Sequence, residues 1–207
     1  VHIPERGFLR KPVGLMNSIR AFLDIRRKYD VFHFNFGSSL VDYPKFGLSL
    51  CDLPYYPPDS KLFVTYNGCD ARQKYPTMQR TAFSACHSSE CYGGVCNSGK
   101  QDAIRRRKIE KFSLFARHIF AVNPDLLWFL PKEKSSFLPY TVANWYEDSV
   151  RIPFALGRKI RIVHAPTNRA CKGSEIILQS LERIQRRFPA EVEIVLVENM
   201  SHSMALS

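Results

Sequence analysis

The sequence predicts an α/β protein built on parallel sheets. Three observations carry that expectation. Short β-branched and aromatic runs alternate with segments of helical period. The run "KLFVTYNG", Lys61–Gly68, has no polar alternation in its first half, the pattern of a parallel strand covered on both faces. Residues 160–199 read strand, loop, helix, strand, over the length of one crossover unit.

Taken in order, "PVGLMNSIRAFLDIRRKY" spaces Leu15, Ile19, Phe22, Leu23 and Ile25 as an amphipathic helix. "DVFHFNFG", Asp30–Gly37, reads as a strand bounded by turn residues. A proline-rich stretch follows, with a short helix expected at Phe46–Cys51. After the strand at Lys61–Gly68 the pattern lapses into a cysteine-containing loop, residues 71–99. The next helix, "KQDAIRRRKIEKFSLFARH", offers Ile104, Ile109, Phe112, Leu114 and Phe115 to a core. Short strands are expected at Ile119–Val122 and in "SSFLPYTVA", with a short helix starting on Asp125 between them. These divisions give a domain at 1–143, a linker at 144–159, and a second, incomplete domain at 160–207. One strand–helix–strand cannot bury both faces of its sheet.

The bulk numbers narrow the function classes. The chain has 207 residues, enough for one large or two small domains, and is 45% hydrophobic, which supports a packed core and excludes general disorder. No apolar run is long enough to cross a bilayer. The opening "VHIPERGFLRKP" lacks the order of a signal peptide and an initiator Met, and the end follows a strand-like run. A longer parent protein, cut at both ends, is the expectation. The net charge of +11 favours anionic partners: nucleic acid, anionic lipid or phosphorylated substrates. Six cysteines are too few to staple a chain of this size as a disulfide scaffold.

Four groups of residues carry candidate chemistry. In "RIVHAPTNRACKGSE", Asn168, Arg169 and Lys172 follow a parallel strand at its carboxyl end, where such sheets bind ligands. Gly173 and a helix starting near Ser174 follow, so free N–H groups face the same space. Arg169 offers a planar fork and Lys172 a point charge to phosphate oxygens. The plain alternative is a solvated loop with incidental cations. In "TYNGCDAR", Asn67, Gly68, Asp70 and Arg72 also follow a strand; an Asp70–Arg72 ion pair is the plain reading there. Cys69, Cys86, Cys91 and Cys96 supply enough thiols for a tetrahedral structural zinc, with reduced thiols or disulfides as competing readings. Cys51 and Cys171 stand apart from that set. In "IRRRKIEKF", Arg105, Arg106, Arg107 and Lys108 read as a solvated helix face, or as a contact for anionic headgroups. No nucleic-acid recognition motif is present, and nucleic acid is not the expected partner. His33, His118 and His164 read as structural, with His164 kept as a site candidate because it ends a strand.

"HAPTNRACKGSEIILQSLERI" followed by "VEIVLVENMSH" resembles the start of the C-terminal domain of family 4 glycosyltransferases of GT-B fold. "DVFHFNFGSSL", "FVTYNGCDAR" and "IFAVNPDLLWFLP" resemble one branch of these enzymes in the same order, so the resemblance covers most of the chain. It implies two Rossmann-like domains, the second incomplete, and retaining transfer of a sugar from a nucleoside diphosphate sugar to a glycan or lipid-linked acceptor. Arg169 and Lys172, with Asn168 and Gly173, would bind the donor diphosphate. Asn67 and Asp70 would stand near the reacting centre, with Gly68 and Arg72 on the acceptor side. The family commonly has His where this chain has Asn67, and Asn carries no proton. The resemblance implies no metal at the diphosphate, a cytoplasmic enzyme of polysaccharide biosynthesis, and peripheral contact with the inner membrane face. The chain by itself is expected to be inactive. The alternative from another class is a zinc-stabilised basic module that binds nucleic acid or anionic lipid.

Overall fold

The computed structural model describes residues 10–139 and 159–199. In chain order the elements are α1 (Arg10–Ile25), β1 (Val31–Asn35), β2 (Lys61–Tyr66), α2 (Lys74–Arg80), α3 (Lys100–Phe115), β3 (His118–Ala121), β4 (Ser135–Phe137), β5 (Ile160–His164), α4 (Arg169–Lys172), α5 (Ser174–Arg187) and β6 (Val192–Leu196). The chain is α/β, and every strand pairing is parallel. It divides into two compact units, the first comprising described residues up to Gln73 and 99–139, the second Lys74–Ser98 and 159–199. The segment Lys74–Ser98, expected with the first domain, groups with the second unit. Of the expected linker, residues 144–158 lie outside the described residues.

The first unit is a four-stranded sheet in the order β1-β2-β3-β4. Phe32 and Phe34 on β1, Leu62 and Val64 on β2, and Ile119 and Ala121 on β3 point to one face. Phe22 of α1 and Ile109 and Phe112 of α3 belong to the same buried cluster. The expected cover on both faces of β2 is found in part among the described residues: on the second face Thr65 is buried and Phe63 half-buried. Val31 is 54% exposed, and His33, Phe63 and Phe120 form an aromatic row on the open face, with Phe63 and Phe120 stacked at 6.1 Å. The apolar run at β2 thus marks a central strand, buried on one face and partly covered on the other. On the helices, Leu23, Ile104 and Leu114 face outward, not into the core. Only about a third of a surface helix's circumference is apolar by need, so apolar residues at the edge of that stripe stay exposed.

The long connection from β1 to β2 holds no α-helix. The one expected at Phe46–Cys51 is replaced by 3-10 turns at Pro44–Phe46 and Leu53–Tyr55, each with proline in its first turn. Buried carboxylates organise this connection. Asp52 accepts from the Ser39 hydroxyl, from the Leu40 N–H at 3.1 Å and from the Tyr56 hydroxyl at 3.4 Å. Burial, with the Asp52 charge, pushes the Tyr56 phenol well above its ordinary pKa, so it stays a donor. Asp42 accepts from Ser38 and Ser49 and pairs with Lys108 of α3. The helix that would begin on Asp125 is a 3-10 segment, Pro124–Phe129.

At the carboxyl end of β1 the chain turns through Phe36 and Gly37, both left-handed. A Cβ on Gly37 would lie 2.3 Å from the ring of the fully buried Tyr66. Glycine is required here on two counts, φ of +55° and space. Gly37→Ala is expected to destabilise the first unit by about 1–3 kcal/mol, read as a lower urea midpoint with unchanged slope. An unchanged midpoint would contradict this packing.

Candidate functional site

The second unit builds its site from the end of β5. β5 pairs with β6 from Ile160↔Val192 to His164↔Leu196, and α5 packs on this ribbon through the buried Leu181 and Val192. Beyond His164 the chain reaches Asn168 in extended conformation, whose side-chain oxygen accepts from the Cys171 N–H at 3.0 Å. Asn168 is thus an N-cap, and capping explains its place before Arg169 without a ligand. The cap starts α4, so Arg169 and Lys172 lie on a helical turn and not on the expected loop. Gly173 ends that turn at φ +63° and leads straight into α5. A Cβ there would meet open space, so its demand is conformational. His164 Nε2 lies 2.8 Å from the hydroxyl of Ser174, which is fully buried. This bond ties the strand end to the first residue of α5 and makes His164 structural, like His33 on Thr65 and His118 on Ser136.

Arg169 and Lys172 differ sharply in their surroundings. The Arg169 guanidinium donates from Nε and Nη2 to both oxygens of Glu198, each at 2.7 Å. Those hydrogen bonds, opposed by desolvation and joined by the charges of Arg169 and His164, hold the Glu198 carboxyl below its ordinary pKa. Lys172 is exposed and has no hydrogen bond or ion pair among the described residues. Both cations line an open cleft of about 990 Å³. Its other wall is Ser84, His87, Ser88 and Glu90, and Gly173, Ser174 and Glu175 form part of its lining. Glu90, Glu175 and Glu182 also line it, so the cleft is mixed in charge.

The cysteine segment that makes the opposite wall is ordered by a lysine. Lys74, nearly buried, donates to the Ser88 carbonyl at 2.9 Å and the Asn97 side chain at 2.8 Å. Asn97 in turn donates to the Ser89 carbonyl at 2.9 Å. These hydrogen bonds tie the segment together without a metal ligand or disulfide. Among the described residues no three His, Cys, Asp or Glu side chains gather as a metal site. Cys86, Cys91 and Cys96 belong to the second unit, whereas Cys69 lies on the first unit's Asn67–Arg72 turn. Cys171, set apart on sequence grounds, is in fact 3.4 Å from Cys91, sulfur to sulfur.

In the first unit, Asp70 organises that turn. Its carboxylate accepts from the N–H groups of Asn67 (2.9 Å), Gly68 (2.6 Å) and Ala71 (3.2 Å). The expected Asp70–Arg72 pair is replaced by Arg72–Asp125, at 2.9 Å from Nε. Asn123 donates to the Asn67 carbonyl at 3.0 Å, joining the turns after β2 and β3. Gly68 has ordinary φ and open space around its Cβ position, so the fold itself does not require glycine there. On α3, Arg105 faces Asp102 at 3.6 Å and Lys108 is drawn in by Asp42. Only Arg106 and Arg107 of the four basic residues are exposed. No helix among the described residues is long and apolar enough to cross a membrane.

Sequence reasoning missed Glu198, Ser174 and Lys74. Each acts across a fold-made contact, and no local spacing signals it. Compared with known proteins, the chain matches no family model, no curated protein and no solved structure.

Because the folded pKa of Glu198 is depressed, its pairing with Arg169 is fully present above the ordinary glutamate value and is lost as pH falls through the folded value. A carboxyl-carbon NMR titration should place Glu198 below the unfolded glutamate range. A midpoint at or above that range would contradict the pair.

Proposed function

We propose that the second unit binds the diphosphate of a nucleoside diphosphate sugar, and that the chain is the binding part of a glycosyltransferase of GT-B type. The observation that carries this reading is the cleft beyond the carboxyl end of β5, where exposed Lys172, Arg169 and the start of α5 share one wall. Position at a parallel strand's carboxyl end and at the start of a 14-residue helix favours an anion there. The ordered resemblance of the sequence narrows the anion to a diphosphate.

In this reading Lys172 is the first contact. It is a point charge with three donors, and no protein carboxylate has to be displaced from it. Arg169 begins on Glu198 and exchanges that carboxylate for a phosphate oxygen. The exchange is easy because Arg169 is 58% exposed, where an ion pair in water is weak. His164 and Ser174 act as positioning residues, fixing the angle at which α5 leaves the strand. As the sugar bond breaks, negative charge grows on the departing diphosphate, and Lys172 and Arg169 stabilise it. The acceptor is assigned to the first unit's Asn67–Arg72 turn. There Asp70 acts by holding backbone, since its oxygens already accept from three N–H groups. Contact with an anionic membrane surface falls to Arg106 and Arg107.

Calorimetric titration with pyrophosphate and with a panel of uridine, guanosine and adenosine diphosphate sugars tests the reading. Binding is expected, Lys172→Ala should weaken it roughly tenfold, about 1.4 kcal/mol, and Arg169→Ala should weaken it further. Glu198→Gln should tighten it, by releasing Arg169. Unchanged affinity in the Arg169→Ala, Lys172→Ala double variant would overturn the proposal.

A further inference from the structure

Two thiols from distant parts of the chain meet beside the cleft. Cys91 opens a tight 3-10 turn, Cys91–Gly94, in which Tyr92, Gly93 and Gly94 all have left-handed backbone. The Lys74 and Asn97 hydrogen bonds hold the same segment in place. Cys171 lies on α4, next to Lys172, with its N–H fixed by the Asn168 cap. The two sulfur atoms are 3.4 Å apart although their residues are 80 apart in sequence. A disulfide bond is about 2.05 Å long, so bonding needs an approach of roughly 1.4 Å, the scale of a side-chain rotation. Both residues are half-buried, which leaves room for a small reagent to reach them.

We propose that Cys91 and Cys171 form a reversible disulfide, a redox modification site that ties the cysteine segment to α4. The oxidant is a low-molecular-weight disulfide of the glutathione type. One protein thiolate attacks its S–S bond and expels one small thiolate, leaving a mixed disulfide. The second protein thiolate attacks the protein sulfur of that bond and expels the other small thiolate. Two protein thiols lose two protons and two electrons, and one small disulfide becomes two thiols. The new bond joins the wall that carries Ser84, His87 and Glu90 to the turn that carries Arg169 and Lys172. Oxidation thereby fixes the width of the cleft beside Lys172, and reduction frees it. The proposal stands on the sulfur geometry and does not depend on which ligand the cleft takes.

The test is a disulfide map. The full chain is incubated with oxidised glutathione, remaining thiols are alkylated, and peptides are identified by mass spectrometry. The expected result is one dominant Cys91–Cys171 cross-link, removed by dithiothreitol, retained in Cys96→Ser and Cys51→Ser, and lost in Cys91→Ser and Cys171→Ser. The wild-type map alone decides the matter if a variant fails to fold. A dominant Cys86–Cys91 or Cys91–Cys96 bond, or no cross-link, would overturn the proposal. So would stoichiometric zinc that shields Cys91 and Cys171 from alkylation until a chelator removes it.

Discussion

Parallel pairing is the constraint on which the rest depends. Each strand from β1 to β4, and both β5 and β6, pairs only in parallel, so every turn that follows a strand in a given sheet opens at the same edge. In the first unit that edge gathers Gly37, the Asn67–Asp70 turn and Asn123. In the second it places the Asn168 cap, α4 and the start of α5 beyond His164. Topology thereby gathers the turn residues at the edge where parallel α/β sheets generally bind ligands.

The turns are built by groups whose chemistry is spent on backbone. Asp70 satisfies three N–H groups, Asn168 caps α4, and Gly173 supplies the left-handed residue that lets one helical turn abut another. These residues hold the shape of the turns and leave the nearby cations exposed. Of those, Arg169 is restrained by Glu198 and Lys172 is not. In the proposed diphosphate site, Lys172 would therefore meet a phosphate directly, whereas Arg169 would first have to leave Glu198.

Local pattern made most of the architecture legible. β5, α5 and β6 follow the strand, loop, helix, strand order expected of residues 160–199, and β1, β2 and β3 differ from expectation by a residue or two at their ends. The helix near Ser174 is α5, though the extra turn of α4 before it was not anticipated, because a four-residue helix has no periodicity to read. The proline-rich stretch misled, since proline at the first positions suits a 3-10 turn as well as an α-helix. What the sequence could not convey were pairings across space: Arg169 with Glu198, Lys74 with Asn97, Lys108 with Asp42, and Cys91 with Cys171. Two of these change the candidate site directly. One neutralises a cation counted as ligand-binding, and another removes a lysine from the basic face of α3.

The central claim is that a diphosphate occupies the end of β5 on Lys172 and draws Arg169 away from Glu198. A crystal structure of the chain soaked with a nucleoside diphosphate tests it most directly. The account predicts phosphate oxygens within hydrogen-bond distance of the Lys172 ammonium and of an Arg169 guanidinium turned off Glu198. A diphosphate bound elsewhere, or bound at this cleft with the Arg169–Glu198 pair intact and Lys172 untouched, would contradict it.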